Sequence, residues 1–167
     1  MNINLETIFL DDLNRNIKIV HRVCNIFFTG KNEERDDLFQ EIMYQLWKSY
    51  PSFNGESKFT TWMYRVALNT AVTQVKRNRR MPTNERLEEK HHQIAESSEL
   101  THNEERIDRL YSAIVTLSAI DKAIILLYLE EHRYEEIADI TGLTKTNVSV
   151  RLVRIKRTLE ERLKIIR

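Results

Sequence analysis

The chain has 167 residues, 41% hydrophobic, 31% charged and 8% aromatic, and its 26 basic and 25 acidic side chains leave a formal net charge of +1. With three Gly and two Pro it lacks the tight-turn residues that sandwiches, barrels and Rossmann sheets need. One Cys excludes an internal disulfide and a cysteine-based zinc site. What remains is an all-α protein of small helical modules whose surfaces outweigh their cores.

In chain order, Ile8, Phe9, Leu13, Ile17, Val20, Val23, Cys24 and Phe27 recur at spacings of mostly three and four. They predict an amphipathic helix over 5–29, broken near Asn14 to Asn16 and ended by Gly30. A second helix is predicted from Glu33 to Ser49, with Leu38, Phe39, Ile42, Met43, Leu46 and Trp47 as its apolar stripe. Tyr50 to Ser57 reads as a turn-rich loop. A third helix is predicted from Thr60 to Arg79, and Met81-Pro82 stops it. Residues 82–103 hold a His pair, Glu repeats and few apolar residues, so they read as a solvated linker.

A second module follows. Ile107, Leu110, Tyr111, Ile114 and Leu117 line one helix, and Ser118-Ala119-Ile120-Asp121 has the form of a capping box that opens the next. Two further helices are predicted over Tyr134 to Ile140 and Lys145 to Ile165. The longest apolar run, Ala123 to Leu129, is too short to span a bilayer. The first residues carry Glu6, Asp11 and Asp12 and no basic leader. No signal peptide and no membrane insertion are expected, which implies a cytoplasmic protein.

The small net charge hides a segmented distribution. Arg65 to Arg80 carries five basic residues and no acid, and Thr141 to Arg167 carries eight basic and two acidic residues. One such run is usually a solvated helix face. Two of them, each ending a helical module, point to contacts with a polyanion.

Tyr134 to Val153 has the pattern of a helix-turn-helix. Ala138 is the small residue where the helices cross, and Gly142 supplies the turn at positive φ. Thr144 is a fitting N-cap, and Leu143 with Val148 is placed as a hydrophobic staple. At about 100° per residue, Val148, Leu152, Ile155, Leu159 and Leu163 fall on one inward stripe. The opposite side carries Thr146, Val150, Val153 and Arg157, flanked by Asn147, Arg151 and Arg154 on one edge and Ser149 on the other. The first turns of such a helix meet base edges and the remainder meets phosphate. Thr146, Asn147, Ser149 and Val150 are the base-reading candidates, with Val150 suited to a thymine methyl and Asn147 to adenine. Lys145, Arg151, Arg154 and Arg157 are the phosphate candidates.

These residues resemble the bacterial RNA polymerase sigma factors of the extracytoplasmic-function (ECF) type. Three motifs carry the likeness: Asp36-Asp37-Leu38-Phe39-Gln40-Glu41 followed by Leu46-Trp47, Phe59-Thr60-Thr61-Trp62-Met63-Tyr64-Arg65-Val66-Ala67-Leu68-Asn69, and Tyr134-Glu135-Glu136-Ile137-Ala138 before the basic helix. Their order and spacing agree with the family over nearly the whole chain. The resemblance implies two domains: region 2 over 1–80, which docks on the polymerase β′ clamp coiled coil and opens the −10 element, and region 4 over 104–167, which sits on the β flap and reads the −35 element. The recognition helix departs from the family pattern, with Asn147 where Thr is common, Ser149 where Lys is common and Val150 where Ser is common. These changes remove one phosphate-type charge and alter the side chains offered to the −35 element.

Asp37, Gln40, Glu41 and Tyr44 share a polar side of the second helix. Such a side is commonly just solvated, but Asp37, Gln40 and Glu41 match the family's β′-docking positions. The family places a base pocket in the loop 53–57 and beside the start of the third helix. Asn54, Ser57, Lys58, Thr61, Trp62, Arg65 and Asn69 are the candidates there, and Lys76, Arg77, Arg79 and Arg80 are placed for phosphates. An isolated Trp62 or Phe59 is more often core.

No enzyme and no cofactor are expected. There is no Gly-rich phosphate loop and no nucleophile motif, and the His91-His92 pair has no further ligand at metal spacing. The partners implied are core RNA polymerase, promoter DNA and an anti-sigma factor such as holds many relatives inactive. Two rivals stay open: a free-standing helix-turn-helix regulator, and a helical interaction module whose pattern is only packing.

Overall fold

The computed structural model describes residues 3–80 and 102–165, and every regular element in them is a helix. The first group is α1 (Ile3–Phe27), α2 (Asn32–Ser49), a single 3-10 turn (Tyr50–Ser52) and α3 (Phe59–Arg80). The second is α4 (His102–Val115), α5 (Ala119–Leu129), α6 (Tyr134–Thr141) and α7 (Lys145–Ile165). Helix boundaries fall within about two residues of the sequence expectation, which is the usual scatter of helix ends.

Packing in the first group follows the apolar spacing. Leu38, Ile42 and Leu46 of α2, four residues apart, are fully buried. They face α3, where Met63, Ala67 and Ala71 repeat the same spacing and are also fully buried. The two alanines let the helix backbones approach closely. Glu33 and Glu34 in the first turn of α2 and Lys48 in its last complement the helix dipole.

The expected break in α1 is not there. Leu13 and Val20 are buried and Ile17 packs beside them, so the apolar phase runs straight through Asn14 to Asn16. Asn16 turns its amide inward along the helix, donating to the Asp12 carbonyl at 2.8 Å. Gly30, at φ 75°, ends the helix as expected.

In the second group α5 is the centre. Lys122 to Leu127 are consecutively buried, the pattern of a helix covered on all sides. Ser118 caps it, its hydroxyl oxygen accepting from the Asp121 N–H at 3.3 Å. The line expected along α4 is only partly inward. Ala113, Ile114 and Leu117 are buried, but Ile107 and Tyr111 stay 47% and 39% exposed. Helix α4 packs on α7 and α1.

The two groups touch. α5 lies against α1 and α3, and α6 against α3. Arg22 of α1 donates to the Glu130 carboxylate at 2.7 Å. The rings of Tyr64 and His132 meet edge to face at 5.1 Å. Lys122, 8% exposed, holds its ammonium 5.9 Å from the centre of the Phe27 ring. Burial first, and then the Arg79 and Lys31 charges, lower its pKa.

Candidate nucleic-acid interface

The angle between α6 and α7 is built by local chemistry. Glu136 Oε2 accepts from the Arg133 N–H at 2.9 Å, which fixes the entry to α6 and holds the Glu136 carboxyl below its usual range. At the exit Gly142 sits at φ 74° and donates its N–H to the Ala138 carbonyl at 2.9 Å. The space around Gly142 is open, so backbone conformation and not crowding calls for glycine here. Thr144 then caps α7, its hydroxyl oxygen accepting from the Asn147 N–H at 3.1 Å.

The inward stripe of α7 is Val148, Leu152, Ile155 and Leu159, all buried, with Leu163 half-buried. The outward side carries Lys145, Thr146, Asn147, Val150, Val153, Arg154 and Arg157, all exposed, and Ser149 is half-buried. Val150 and Val153 are 53% and 62% exposed, an apolar pair framed by cations. Such a surface can meet a thymine methyl in a groove while the rim meets phosphate.

The phosphate candidates do not stand alike. Lys145 is hydrogen-bonded to Glu135 of α6, and this bond lowers the Glu135 pKa. Arg151 bridges two groups. One of its terminal nitrogens donates to Asp121 Oδ1 at 2.9 Å, and its Nε donates to Asn147 Oδ1 at 3.0 Å. Arg154 and Arg157 form no salt bridge among the described residues. Asp121 and Glu135 carry no sequence signal for these pairings. Only the helix-cap pattern at Asp121 is visible there, and that concerns its backbone.

In the first group the loop before α3 rests on an aromatic cluster. Tyr50, Phe53, Phe59 and Trp62 have ring centres 5.2–6.3 Å apart, and Phe9 joins through Tyr50 at 4.6 Å. Trp62 is 8% exposed. Its indole packs in the core, the commoner place for such a residue. The cluster holds the loop above it. Asn54 Oδ1 accepts from the Glu56 N–H at 3.2 Å, and Gly55 turns at φ 76°. Asn54 and Lys58 are exposed, and Ser57 is half-buried. Along α3, Thr61, Arg65, Asn69 and Lys76 share one side, with Thr61 and Arg65 half-buried and the other two exposed. Arg77, Arg79 and Arg80 are exposed at its C-terminal end.

The polar strip of α2 lines a groove against α3. Asp37 and Gln40 are exposed and Glu41 is half-buried, facing Arg77 and Asn78 across it. Glu41 accepts from Gln45 Nε2 at 2.9 Å. Tyr44, 55% exposed, adds an aromatic to this rim.

Burial pushes the Cys24 thiol up to about 12, which leaves it inert. Among the described residues no group of three or more His, Cys, Asp or Glu is placed to hold a metal ion. The His91-His92 pair lies outside the described residues. No described helix is long and apolar enough to cross a membrane.

Comparison with known proteins accounts for both groups. Residues 13–81 match the family described as Sigma-70 region 2, and residues 107–159 match Sigma-70, region 4. The ECF RNA polymerase sigma-E factor of Haemophilus influenzae is 31% identical over 140 residues, covering 76% of this chain and 73% of that protein. The ECF RNA polymerase sigma factor SigG of Mycobacterium tuberculosis is 41% identical over 54 residues, but these span only 32% of this chain and 15% of that protein. The sigma factor RpoE of Bartonella quintana, solved with the anti-sigma factor NepR, has the same fold, with a TM-score of 0.71 over 95% of this chain and 98% of that one at 22% identity. With both sigma regions matched in order, this chain belongs to the ECF-type sigma factors of the sigma-70 family.

Proposed function

We propose that the chain is a cytoplasmic specificity subunit that joins core RNA polymerase and directs it to a promoter with defined −35 and −10 elements. One observation carries this reading. A region 2 and a region 4 occur in one chain, the first with an acidic groove on α2 and the second with an exposed apolar and basic side on α7. A free-standing regulator needs only the second.

Residues 1–80 form the polymerase-docking and −10 module, 81–103 the tether and 104–167 the −35 module. Asp37, Gln40 and Glu41 meet a basic surface of the β′ clamp coiled coil, and the second module sits on the β flap. Asn54, Ser57, Lys58, Thr61, Arg65 and Asn69 face unpaired bases of the −10 element, with Lys76, Arg77, Arg79 and Arg80 on phosphates. Thr146, Asn147, Ser149 and Val150 read the −35 element, and Arg154 and Arg157 bind its backbone. An anti-sigma factor is proposed as a further partner, since the Bartonella relative is solved with one. The chemistry of transcription stays with the polymerase.

The test is gel filtration with core polymerase, followed by transcription from a promoter library. Co-elution and initiation at a shared −35/−10 pair support the proposal. A chain that binds DNA as a dimer and ignores polymerase would replace it with the free-standing regulator.

A further inference from the structure

The recognition helix carries a hydrogen-bonded chain that begins outside it. Asp121, in the first turn of α5, is separated from Arg151 by thirty residues of sequence, yet the two meet at 2.9 Å. Arg151 in turn donates from Nε to Asn147 Oδ1 at 3.0 Å. The Asp121 and Arg151 side chains are only 25% and 28% exposed, whereas Asn147 is exposed. The chain thus runs from a sheltered carboxylate to a surface amide at the start of α7.

We infer that Asp121 and Arg151 are positioning residues that make Asn147 a hydrogen-bond donor to the −35 element. The inference rests on the reading of α7 as the −35 helix. Guanidinium nitrogens only donate, so the atom of Asn147 that meets Arg151 is its oxygen. Its NH2 then points away from Arg151. An asparagine that reads adenine uses both ends at once, accepting from N6 and donating to N7. Here one of the two lone pairs of the accepting oxygen is taken by a charged donor, whose hydrogen bonds are the stronger kind, and the Arg151 guanidinium occupies that side of the amide. The free NH2 suits an edge that only accepts, which is guanine through O6 and N7 or thymine through O4. Adenine, preferred by an unrestrained asparagine, is disfavoured at this position. The two contacts engage two of the five Arg151 N–H donors and hold its guanidinium between Asp121 and Asn147, which assigns it to positioning and not to phosphate binding.

The test uses the full chain bound to core polymerase, with binding measured across a −35 element randomised at every position and at two salt concentrations. The variants are Asp121→Ala, which keeps the backbone N–H that Ser118 caps, and Arg151→Lys, which keeps the charge but cannot span both partners. Each is expected to shift the preference at one base pair toward adenine by about fivefold, the worth of one hydrogen bond. The salt slope should stay unchanged. The shift should vanish when Asn147→Ala is already present, which a merely structural role for Asp121 would not produce. Arg151→Ala should likewise leave the salt slope intact, whereas Arg154→Ala reduces it. An unchanged preference in both variants, with Asn147→Ala still altering it, overturns the positioning role alone. A loss of salt slope in Arg151→Ala equal to that in Arg154→Ala overturns it too, by making Arg151 a phosphate ligand. If neither Asn147→Ala nor Val150→Ala alters preference, the assignment of α7 to the −35 element fails and the inference goes with it.

Discussion

α3 and α7 both carry several basic side chains toward their C-terminal ends, and they hold their cations differently. On α3, Lys76, Arg77, Arg79 and Arg80 are exposed and have no acidic partner among the described residues. On α7 the cations nearest its start, Lys145 and Arg151, are paired with Glu135 and Asp121, and only from Arg154 onward do unpaired arginines appear. A cation tied to a carboxylate must break that bond before it can meet a phosphate. The first turns of α7 thus hold their cations in fixed pairs, whereas Arg154 and Arg157, like the basic end of α3, are exposed and unpaired among the described residues.

The comparison breaks most violently at the core of the second half. Val148 is fully buried where α7 crosses α6. Val148→Asp should cost more than about 3 kcal/mol, since a lone buried carboxylate has no partner there. Thermal unfolding followed by circular dichroism checks this, with loss of the second group's cooperative transition as the outcome. The first half is tested at its groove. Asp37→Arg together with Glu41→Arg should weaken core polymerase binding by at least about tenfold, through like-charge repulsion, with helical content intact. Unchanged affinity in a titration would remove the docking role of the strip. A smaller effect is expected where the halves meet. Arg22→Ala breaks the bond to Glu130, but its side chain is 46% exposed, and such pairs contribute roughly 0–1 kcal/mol. A denaturant midpoint that hardly moves fits that weak link. A large drop in the midpoint would mean that the two groups stand or fall as one core.

How much of this could be read from the chain depends on the range of the interaction concerned. The helix-turn-helix was legible because its parts lie within a few residues of one another: Ala138, Gly142, Thr144 and Val148 each act on a neighbour. The Asp121–Arg151 pair was not, because only the fold brings α5 to α7. In the sequence Arg151 is one of four basic candidates on the helix, and nothing there marks it as the partner of Asp121. Trp62 is compatible in sequence with a core or a base-facing place, and the ring contacts with Tyr50, Phe53 and Phe59 show it packed in the core. At Asn14 to Asn16 local polarity suggested a break, but Leu13, Ile17 and Val20 keep one apolar side, and tertiary packing outweighs propensity. The contact of α1 and α3 with α5 and α6 has no sequence signature at all, since it joins surfaces far apart in the chain.

The central claim is that position along α7 separates reading from holding. The most direct measurement is binding of the polymerase complex to a fully randomised −35 element at two salt concentrations. Asn147→Ala and Val150→Ala should change which sequence is preferred, at about 1–3 kcal/mol for each base interaction removed. Arg154→Ala and Arg157→Ala should weaken all sequences nearly equally and lower the salt slope by about 0.9 for each phosphate they bind. If Arg154→Ala shifts the preferred sequence while Asn147→Ala and Val150→Ala leave it untouched, α7 enters the groove in another register and the division of labour is wrong.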